Sequence, residues 1–215
     1  CANVVQGWLH RHDVLEHSIR TAETIRAELR LRLAGLLHDV GKPATRSADA
    51  QGRIHFHGHD LRGAEMTESA LARLRFPGEM AAAAARLIRL HMFQLPPDPS
   101  EAAMRRLMQK AGGPAGLRDL IELRRADMVA TGRLNPLGAR YWSLLRDRAE
   151  EIIAAGGAFT LRHLAVDGWD VMQVLGIPPG PEVGRILRRL LEKVQDDPSL
   201  NEQVRLEEIL RRGEF

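Results

Sequence analysis

The stretch of sequence that decides the fold is LRLRLAGLLHDVGK, residues 29–42. Its first nine residues predict a buried helix, and the glycine at position 41 predicts that this helix ends just after His38 and Asp39. An imidazole and a carboxylate at the end of so apolar a helix need polar partners, because a buried polar group without one is costly. We expect Gly41 to turn the backbone away and leave the pair open to a ligand, with Lys42 close enough to neutralise a phosphate.

His-Asp pairs are weak indicators by themselves. The chain has three of them, at residues 12–13, 38–39 and 59–60. Only the pair at 38–39 closes a strongly apolar helix, where both side chains must find partners. Two interpretations are open for it: a ligand-binding pair, which we favour, or a buried hydrogen bond that only fastens the end of the helix.

The rest of the chain is also predicted to be helical. Ala, Leu and Arg are abundant, only nine of the 215 residues are aromatic, and runs of β-branched residues are scarce. Proline and glycine clusters separate the helical segments, and residues 44–59 are predicted to form a polar loop with a short extended piece at 54–57. The predicted helices cover residues 13–28, 29–37, 60–75, 79–92, 100–111, 115–130, 138–155, 167–175 and 181–194, followed by a last helix capped by Asn201.

A domain boundary is predicted at Gly156-Gly157. Residues 1–156 would form the main domain and residues 157–215 a small helical arm. One helix of the arm carries an apolar stripe that predicts packing against its neighbours; the stripe consists of Val183, Ile186, Leu187, Leu190, Leu191 and Val194. The basic residues of the same helix lie largely outside the stripe; they are Arg185, Arg188, Arg189 and Lys193.

Charge and cysteine content narrow the class of protein. The net charge is only +3, and residues 162–215 carry 8 Lys or Arg against 10 Asp or Glu, so a generic polyanion-binding patch is not expected. A single cysteine, Cys1, excludes a disulfide framework and fits a reducing cytoplasm. No apolar run approaches the ~20 residues of a membrane-spanning helix, and no signal peptide follows Cys1. We expect a soluble cytoplasmic protein that does not bind a membrane.

The spacing of the polar residues resembles that of the HD superfamily of metal-dependent phosphohydrolases. The family pattern is a lone His, a His-Asp pair and a distant Asp, brought together from separate helices. The matching residues are His17 in DVLEHS, His38 and Asp39 in LLHDVGK, and Asp127 in LRRADMV. Leucines four and seven residues before Asp127 share its helical face, which predicts that this carboxylate points inward. The resemblance implies an all-α HD-domain helical bundle with these four residues as metal ligands.

Two imidazoles and two carboxylates form a borderline-soft site that retains positions for water. Such a site suits one or two divalent metal ions, with Mn²⁺, Ni²⁺ or Co²⁺ favoured and Mg²⁺ or Zn²⁺ also admitted. A bound metal ion makes water a nucleophile near neutral pH and draws charge from a phosphoryl oxygen. We assign Asp39 and Lys42 as catalytic residues. Asp39 would bridge two metal ions or orient the nucleophile, and Lys42 would neutralise charge.

Some HD proteins hold a second metal ion with two further histidines between the His-Asp pair and the last Asp. His59 and His91 are placed for this role, and substrate contact or a purely structural role is the alternative for each. His57 is expected to act alongside His59 in binding substrate. The remaining histidines are expected in loops or at the surface; they are His10, His12, His55 and His163.

Further motifs resemble the HD region of bacterial tRNA nucleotidyltransferases and poly(A) polymerases. These motifs are HDVLEH at 12–17, LHDVGK at 37–42 and HGHD at 57–60. The tail is similar to the C-terminal arm of the same enzymes, with LGIPPGPEVG at 175–184, LLE at 190–192 and PSLN at 198–201.

The resemblance does not include the N-terminal head domain of these polymerases. Those polymerases begin with a domain that carries a Gly-Ser or Gly-Gly motif and an Asp-x-Asp pair for nucleotide addition. No such pair in that context occurs in this sequence, and we expect that the chain does not add nucleotides as it stands. Either it is a free-standing relative that kept the hydrolase and the arm, or it is the C-terminal part of a longer enzyme.

The resemblance implies a phosphodiesterase or phosphatase that acts on nucleotides or RNA 3′ ends. The favoured substrates are 2′,3′-cyclic or terminal phosphates, with tRNA as a candidate partner. Any RNA contact of the arm would come from its four basic residues, Arg185, Arg188, Arg189 and Lys193. Two alternatives stay open: an RNA-holding module whose metal ion is structural, and a 5′-nucleotidase that acts on the nucleotide pool. The oligomeric state is left open.

Overall fold

The computed structural model describes residues 1–4, 12–132, 135–155 and 161–215. Helices dominate these residues, and the predicted all-α fold class is confirmed. Within the same ranges, no helix combines the length and apolar character needed to cross a membrane. The elements in chain order are α1 (Val14–Thr24), α2 (Leu29–Leu37), α3 (Lys42–Thr45), β1 (Ser47–Ala48), β2 (Ile54–His55), α4 (His59–Arg73), α5 (Gly78–Leu90), α6 (Glu101–Ala111), α7 (Pro114–Ala130), α8 (Pro136–Ala154), α9 (Gly168–Leu175), α10 (Pro181–Asp196) and α11 (Gln203–Arg212), with 3₁₀ turns at Leu161–His163 and Pro198–Leu200.

The chain divides into two compact units. The first unit comprises Cys1–Pro97 and Ala115–Arg146, and the second comprises Asp98–Pro114 and Asp147–Phe215. The second unit therefore contains α6 and the end of α8 in addition to the tail helices. The expected boundary at Gly156-Gly157 lies outside the described residues.

Helix α1 starts where the sequence predicts and stops earlier. The side chain of Asp13 caps the helix by accepting a hydrogen bond from the backbone N–H of Glu16 at 2.8 Å. The helix was expected to reach residue 28 and ends at Thr24. The backbone N–H of Arg26 donates instead to the carboxylate of Glu122 on α7, at 2.8 Å, and this contact takes the place of the next bond within the helix.

A buried carboxylate ties this end of α1 to α7. Asp119 on α7 is 2% exposed and accepts hydrogen bonds from the guanidinium groups of both Arg26 and Arg30. Arg26 also pairs with Glu122. Removing one partner of a buried ion pair is costly, because the other charge is left without compensation. The network therefore fixes α7 against the α1–α2 junction.

Gly41 has a different role from the one expected. Its φ of −77° and ψ of −17° are ordinary helical values that any residue adopts, so the position does not need glycine for a turn. A Cβ atom at this position would overlap the carbonyl oxygen of His59 and lie 2.7 Å from the backbone nitrogen of Gly63. Glycine is required here because the first turn of α4 packs directly against the backbone. This close approach brings His59 toward Asp39.

The polar loop after α3 contains a hairpin. The extended piece predicted at 54–57 is confirmed only at Ile54 and His55, which form strand β2; its antiparallel partner β1 was not predicted. Ser47 pairs with His55, and Ala48 pairs with Ile54. A strand of two residues carries too little pattern to be found from sequence alone.

The second unit has its own apolar core, to which α9, α10 and α11 contribute. The stripe predicted on α10 is confirmed, since five of its six residues are buried and Leu187 is partly buried. The expectation that Asn201 caps the last helix is wrong. Its side chain accepts from the backbone N–H of Ala165 at 2.8 Å and donates to the carbonyl of His163 at 2.9 Å. Glu202 occupies the N-cap position instead, without a side-chain capping bond.

We expect Gly41→Ala to destabilise the protein, because the added methyl group meets backbone atoms that cannot move without displacing α4. The free energy of unfolding should fall by about 2 kcal/mol or more. Urea denaturation of the metal-free protein measures this change. Gly78→Ala is the matched control, since no atom lies within 4 Å of the added Cβ and α5 should tolerate alanine well. Equal stability of the two variants would contradict this account of Gly41.

Candidate metal centre

Five helices bring six polar side chains together in the first unit. They are His17 on α1, His38 and Asp39 just after α2, His59 at the start of α4, His91 just after α5, and Asp127 on α7. All six are buried, with exposed fractions between 1% and 8%. Polar groups buried to this degree must satisfy one another or bind an ion.

The first group joins the four residues predicted to hold a metal ion. The Nε2 atoms of His17 and His38 are 3.2 Å apart. Oδ1 of Asp127 lies 3.1 Å from Nε2 of His17 and 3.9 Å from Nε2 of His38. Oδ2 of Asp39 lies 3.2 Å from Nε2 of His38 and 3.7 Å from Nε2 of His17. The structure thus brings all four side chains to one point.

The second group joins Asp39 to the two further histidines. The Nε2 atoms of His59 and His91 are 3.3 Å apart. They lie 3.5 and 4.0 Å, respectively, from Oδ1 of Asp39. Asp39 therefore turns Oδ2 to the first group and Oδ1 to the second, which is the arrangement of a carboxylate that bridges two ions.

Backbone carbonyls fix the orientation of three of the imidazole rings. In each ring Nδ1 contacts the carbonyl three residues earlier in the chain. The contacts are His38 with Gly35 at 2.7 Å, His59 with Phe56 at 2.7 Å, and His91 with Ile88 at 2.6 Å. A neutral ring whose Nδ1 donates a proton presents a lone pair at Nε2. Histidines that ligate metal ions commonly make this second contact.

This donor set fits a divalent cation. If Nδ1 donates in both rings, the Nε2 atoms of His59 and His91 turn lone pairs toward each other at 3.3 Å, an arrangement that an ion between them would satisfy. Two nitrogen ligands at about 2.1 Å from one ion and ~100° apart are separated by about 3.2 Å, which is close to the spacing found. The ligand atoms of His17, His38 and Asp39 all lie within 4.8 Å of one another, and so do those of Asp39, His59 and His91. The mixture of imidazole and carboxylate suits transition metals.

Asp39, Asp127 and His91 have the protonation states that metal binding requires, whereas His38 does not. Burial opposes the charged form of His38, but the charge of Asp39 outweighs this and raises the pKa of His38, so a metal ion would have to displace its proton. Burial raises the pKa of Asp39, but the charge of His38 and its hydrogen bond outweigh this effect and hold the pKa well below its usual range. Burial likewise opposes ionisation of Asp127, and the hydrogen bond from His17 helps to lower its pKa. Burial and the charge of His38 lower the pKa of His91 to about 4. Ionised carboxylates and a neutral imidazole are competent ligands at neutral pH.

Two cationic side chains flank the carboxylates. Nζ of Lys42 lies 2.6 Å from Oδ2 of Asp39 and 5.7 Å from the centre of the Phe56 ring. The guanidinium of Arg124 donates to Oδ2 of Asp127. Lys42 was expected near the site, whereas Arg124 was missed. Its place three residues before Asp127 on the same helix was the available signal.

A cavity of about 400 Å³ opens onto the site. Its lining combines both carboxylates, both cations and two of the site histidines with apolar and hairpin residues. It consists of Asp39, Lys42, Ile54, His55, Phe56, His57, His59, His91, Met92, Arg124, Asp127, Met128 and Thr131. His17 and His38 lie outside this lining. The residues from Ile54 to Phe56 and those from Met92 to Thr131, apart from Asp127, were not assigned from sequence.

The other histidines are distributed as follows. His57 is exposed and lines the cavity, in line with the role expected beside His59. His55 differs from expectation, because it lies in strand β2 and lines the cavity as well. His12 is half-buried, and His163 is exposed in a 3₁₀ turn. His10 lies outside the described residues.

Comparison with known proteins agrees with the helical fold. Residues 14–129 match the family described as HD domain, and the chain belongs to this family of metal-dependent phosphohydrolases.

Two similar proteins are tRNA nucleotidyltransferases. The chain is 39% identical over 197 residues to the A-adding tRNA nucleotidyltransferase of Deinococcus radiodurans, which covers 88% of this chain and 44% of that protein. It is 38% identical over 193 residues to the CC-adding tRNA nucleotidyltransferase of Thermus thermophilus, which covers 87% of this chain and 42% of that protein. The chain thus spans less than half the length of these relatives.

We expect the protein to bind two Mn²⁺ ions. Asp39→Asn should lose both ions because Asp39 faces both groups, and His91→Ala should lose one. Lys42→Ala is the control within the same site, and it should keep both. Elemental analysis after dialysis gives the stoichiometry. Thermal unfolding gives a second measure, since an ion at 100 times its Kd stabilises the fold by about 2.7 kcal/mol. Metal loss in Lys42→Ala with normal content in Asp39→Asn would reverse the assignment.

Proposed function

We propose that this chain is a phosphodiesterase or phosphatase acting on nucleotide or RNA-end phosphates, with 2′,3′-cyclic phosphates as preferred substrates. The observation that carries the proposal is the cluster of six buried ligands beside a cavity that also holds two cationic side chains. In this proposal His17, His38, Asp39 and Asp127 hold one divalent ion, and Asp39, His59 and His91 hold a second. Mn²⁺, Ni²⁺ or Co²⁺ suit the donor set best, and Mg²⁺ or Zn²⁺ are also compatible.

A bound ion and the protein side chains would contribute different parts of the chemistry. When bound, the ion supplies Lewis acidity toward a phosphoryl oxygen and makes water a better nucleophile near neutral pH. Asp39 stays ionised at neutral pH because its pKa is held low, so its oxygens accept hydrogen bonds from attacking water and orient it. Lys42 and Arg124 face the same cavity and neutralise charge on the transferring phosphoryl group.

Opening a 2′,3′-cyclic phosphate needs only one attacking water. The water oxygen forms a bond to phosphorus, and the bond from phosphorus to one ribose oxygen breaks. The leaving ribose oxygen takes a proton, and the product is a 2′- or 3′-monophosphate. A geometry that holds the ester in line with the water supplies most of the rate gain.

Similarity to tRNA-modifying proteins supports RNA ends as substrates. By name, both relatives add nucleotides to tRNA. We assign residues 1–156 to the phosphohydrolase domain and residues 157–215 to an arm that contacts RNA. Arg185, Arg188 and Arg189 are exposed on α10, and Lys193 is half-buried.

A second candidate function is an RNA-holding module with a structural metal ion. The ligands come from α1, α2, α4, α5 and α7, so an ion at this site would cross-link the first unit whether or not it catalyses. A purely structural ion needs neither an adjoining cavity nor cations within it, and for this reason we favour the hydrolase.

A substrate panel tests the proposed function. Mn²⁺-loaded protein should hydrolyse 2′,3′-cyclic nucleotides faster than 2′-, 3′- or 5′-monophosphates, and removal of the metal by a chelator should abolish the reaction. Hydrolysis of 5′-monophosphates alone would favour the nucleotide-pool enzyme. Metal-dependent stability without hydrolysis of any compound would favour the structural-ion module.

Charge reversal on α10 tests the arm. Changing Arg185, Arg188 and Arg189 to Glu should slow hydrolysis of an RNA with a 2′,3′-cyclic phosphate end and spare the cyclic mononucleotide, because only the polymer would reach the arm. The effect should fade as salt rises through roughly 50 to 200 mM. Exposed charges contribute little to stability, so the fold should persist.

Helix α11 offers the matched control for the arm. It carries three exposed arginines with ion-pair partners on the same helix or at its N-cap, namely Arg205, Arg211 and Arg212. Reversing these three charges gives the same change in net charge within the same unit. If both triple variants process RNA ends equally well at low salt, α10 does not contact RNA.

A further inference from the structure

The hairpin contributes three consecutive rings to the cavity wall. His55, Phe56 and His57 all line the cavity that holds Asp39 and Asp127. The ring of Phe56 lies beneath the ammonium of Lys42, at 5.7 Å. Nothing in the hydrolytic chemistry described above requires His55 or His57, so their position calls for another role.

The hairpin holds His55 in place. Nε2 of His55 lies 3.1 Å from Oδ2 of Asp49 across the turn. The other oxygen of Asp49 accepts the backbone N–H groups of Gln51 at 3.0 Å and Arg53 at 2.8 Å. Asp49 thus fixes both the turn and the imidazole, and His55 offers a ring whose orientation is set before any ligand arrives.

His57 stacks on this fixed ring. The two imidazole rings lie within 10° of parallel, with centroids 5.3 Å apart. His57 is exposed and lines the cavity, so its ring is accessible to a ligand there. Neither histidine belongs to the two groups of metal ligands found among the described residues.

An exposed aromatic face inside a polar cavity suits a nucleobase. Bases splayed from single-stranded RNA stack on aromatic side chains, including histidine, and this contact tolerates any base because every base has a π face. The phosphate-binding groups and the stacked rings share one cavity of about 400 Å³, a size typical of small-molecule sites. One ligand can therefore contact both the phosphate-binding groups and the stacked rings.

We propose that His55 and His57 form a stacking platform for the base of the nucleotide whose phosphate lies at the metal centre. The inference deepens the proposed function and rests on it for the position of the phosphate. It names the residues that would bind the base of such a nucleotide. It also predicts that purines bind better than pyrimidines, because a larger ring system stacks over more area.

Calorimetric titration of the Mn²⁺-loaded protein tests the platform. Two probes are compared: 3′-AMP, and glycerol 2-phosphate, which keeps a phosphate on a secondary alcohol and lacks a base. His57→Ala should weaken binding of 3′-AMP about tenfold, as stacking on one side chain implies, and leave glycerol 2-phosphate unchanged. His57→Phe should restore 3′-AMP binding, because it keeps the ring and removes the nitrogens. Gln51→Ala, at an exposed position on the same hairpin, should bind both probes as the parent does.

The outcomes separate this inference from the proposed function, because binding requires no turnover. Equal loss of both probes in His57→Ala would overturn the platform and make His57 a phosphate contact. No change with either probe would overturn it as well. If His57→Ala loses 3′-AMP selectively while the parent hydrolyses no compound of the substrate panel, the platform stands and the hydrolase proposal fails.

Discussion

The burial of the Asp39 carboxylate is the constraint on which the rest of the first unit depends. An ionised carboxylate that is 1% exposed costs several kcal/mol unless charged or hydrogen-bonding partners surround it. Four helices each place an imidazole beside this carboxylate, at or near a helix end. Lys42 adds an ammonium at 2.6 Å. The apolar helix before Asp39 and the polar cluster around it therefore depend on each other. The helix buries the carboxylate, and the neighbouring side chains compensate its charge.

The charge of Asp39 is compensated only if the surrounding helices hold their side chains at the right distance from it. Two features set this distance. At Gly41 the absence of a side chain lets the first turn of α4 contact the backbone, which carries His59 to Asp39. On the other side, the ion pairs of Asp119 with Arg26 and Arg30 anchor α7 to the α1–α2 junction. Asp127 lies about two helical turns further along α7, so its distance from His17 depends on that anchor. Neither feature contacts an ion, yet both set the geometry that would bind one.

Much of this arrangement could be predicted from sequence because its signals are local. The apolar run before His38 marks a buried helix end, and the leucines that share a face with Asp127 mark a carboxylate turned inward. The hairpin, Arg124 and the close contact at Gly41 could not be predicted in the same way. Each depends on which element of the fold packs against it, and the pattern of residues along the chain does not show which element that is. Asn201 is the opposite case. Its type suits a helix cap, but its side chain bonds the backbone of His163 and Ala165, which lie near it only in the folded chain.

The charges of the site favour an anionic ligand once a divalent ion is bound. Leaving the imidazoles aside, the two carboxylates of Asp39 and Asp127 are balanced by Lys42 and Arg124. One or two divalent ions then add a charge of +2 or +4 to a balanced set, in a cavity where partial desolvation strengthens every interaction. Bound ions would compete with Lys42 and Arg124 for the two carboxylates, and the ammonium and guanidinium line the same cavity. A phosphate anion would offset part of this added positive charge, and a neutral ligand of the same shape would not.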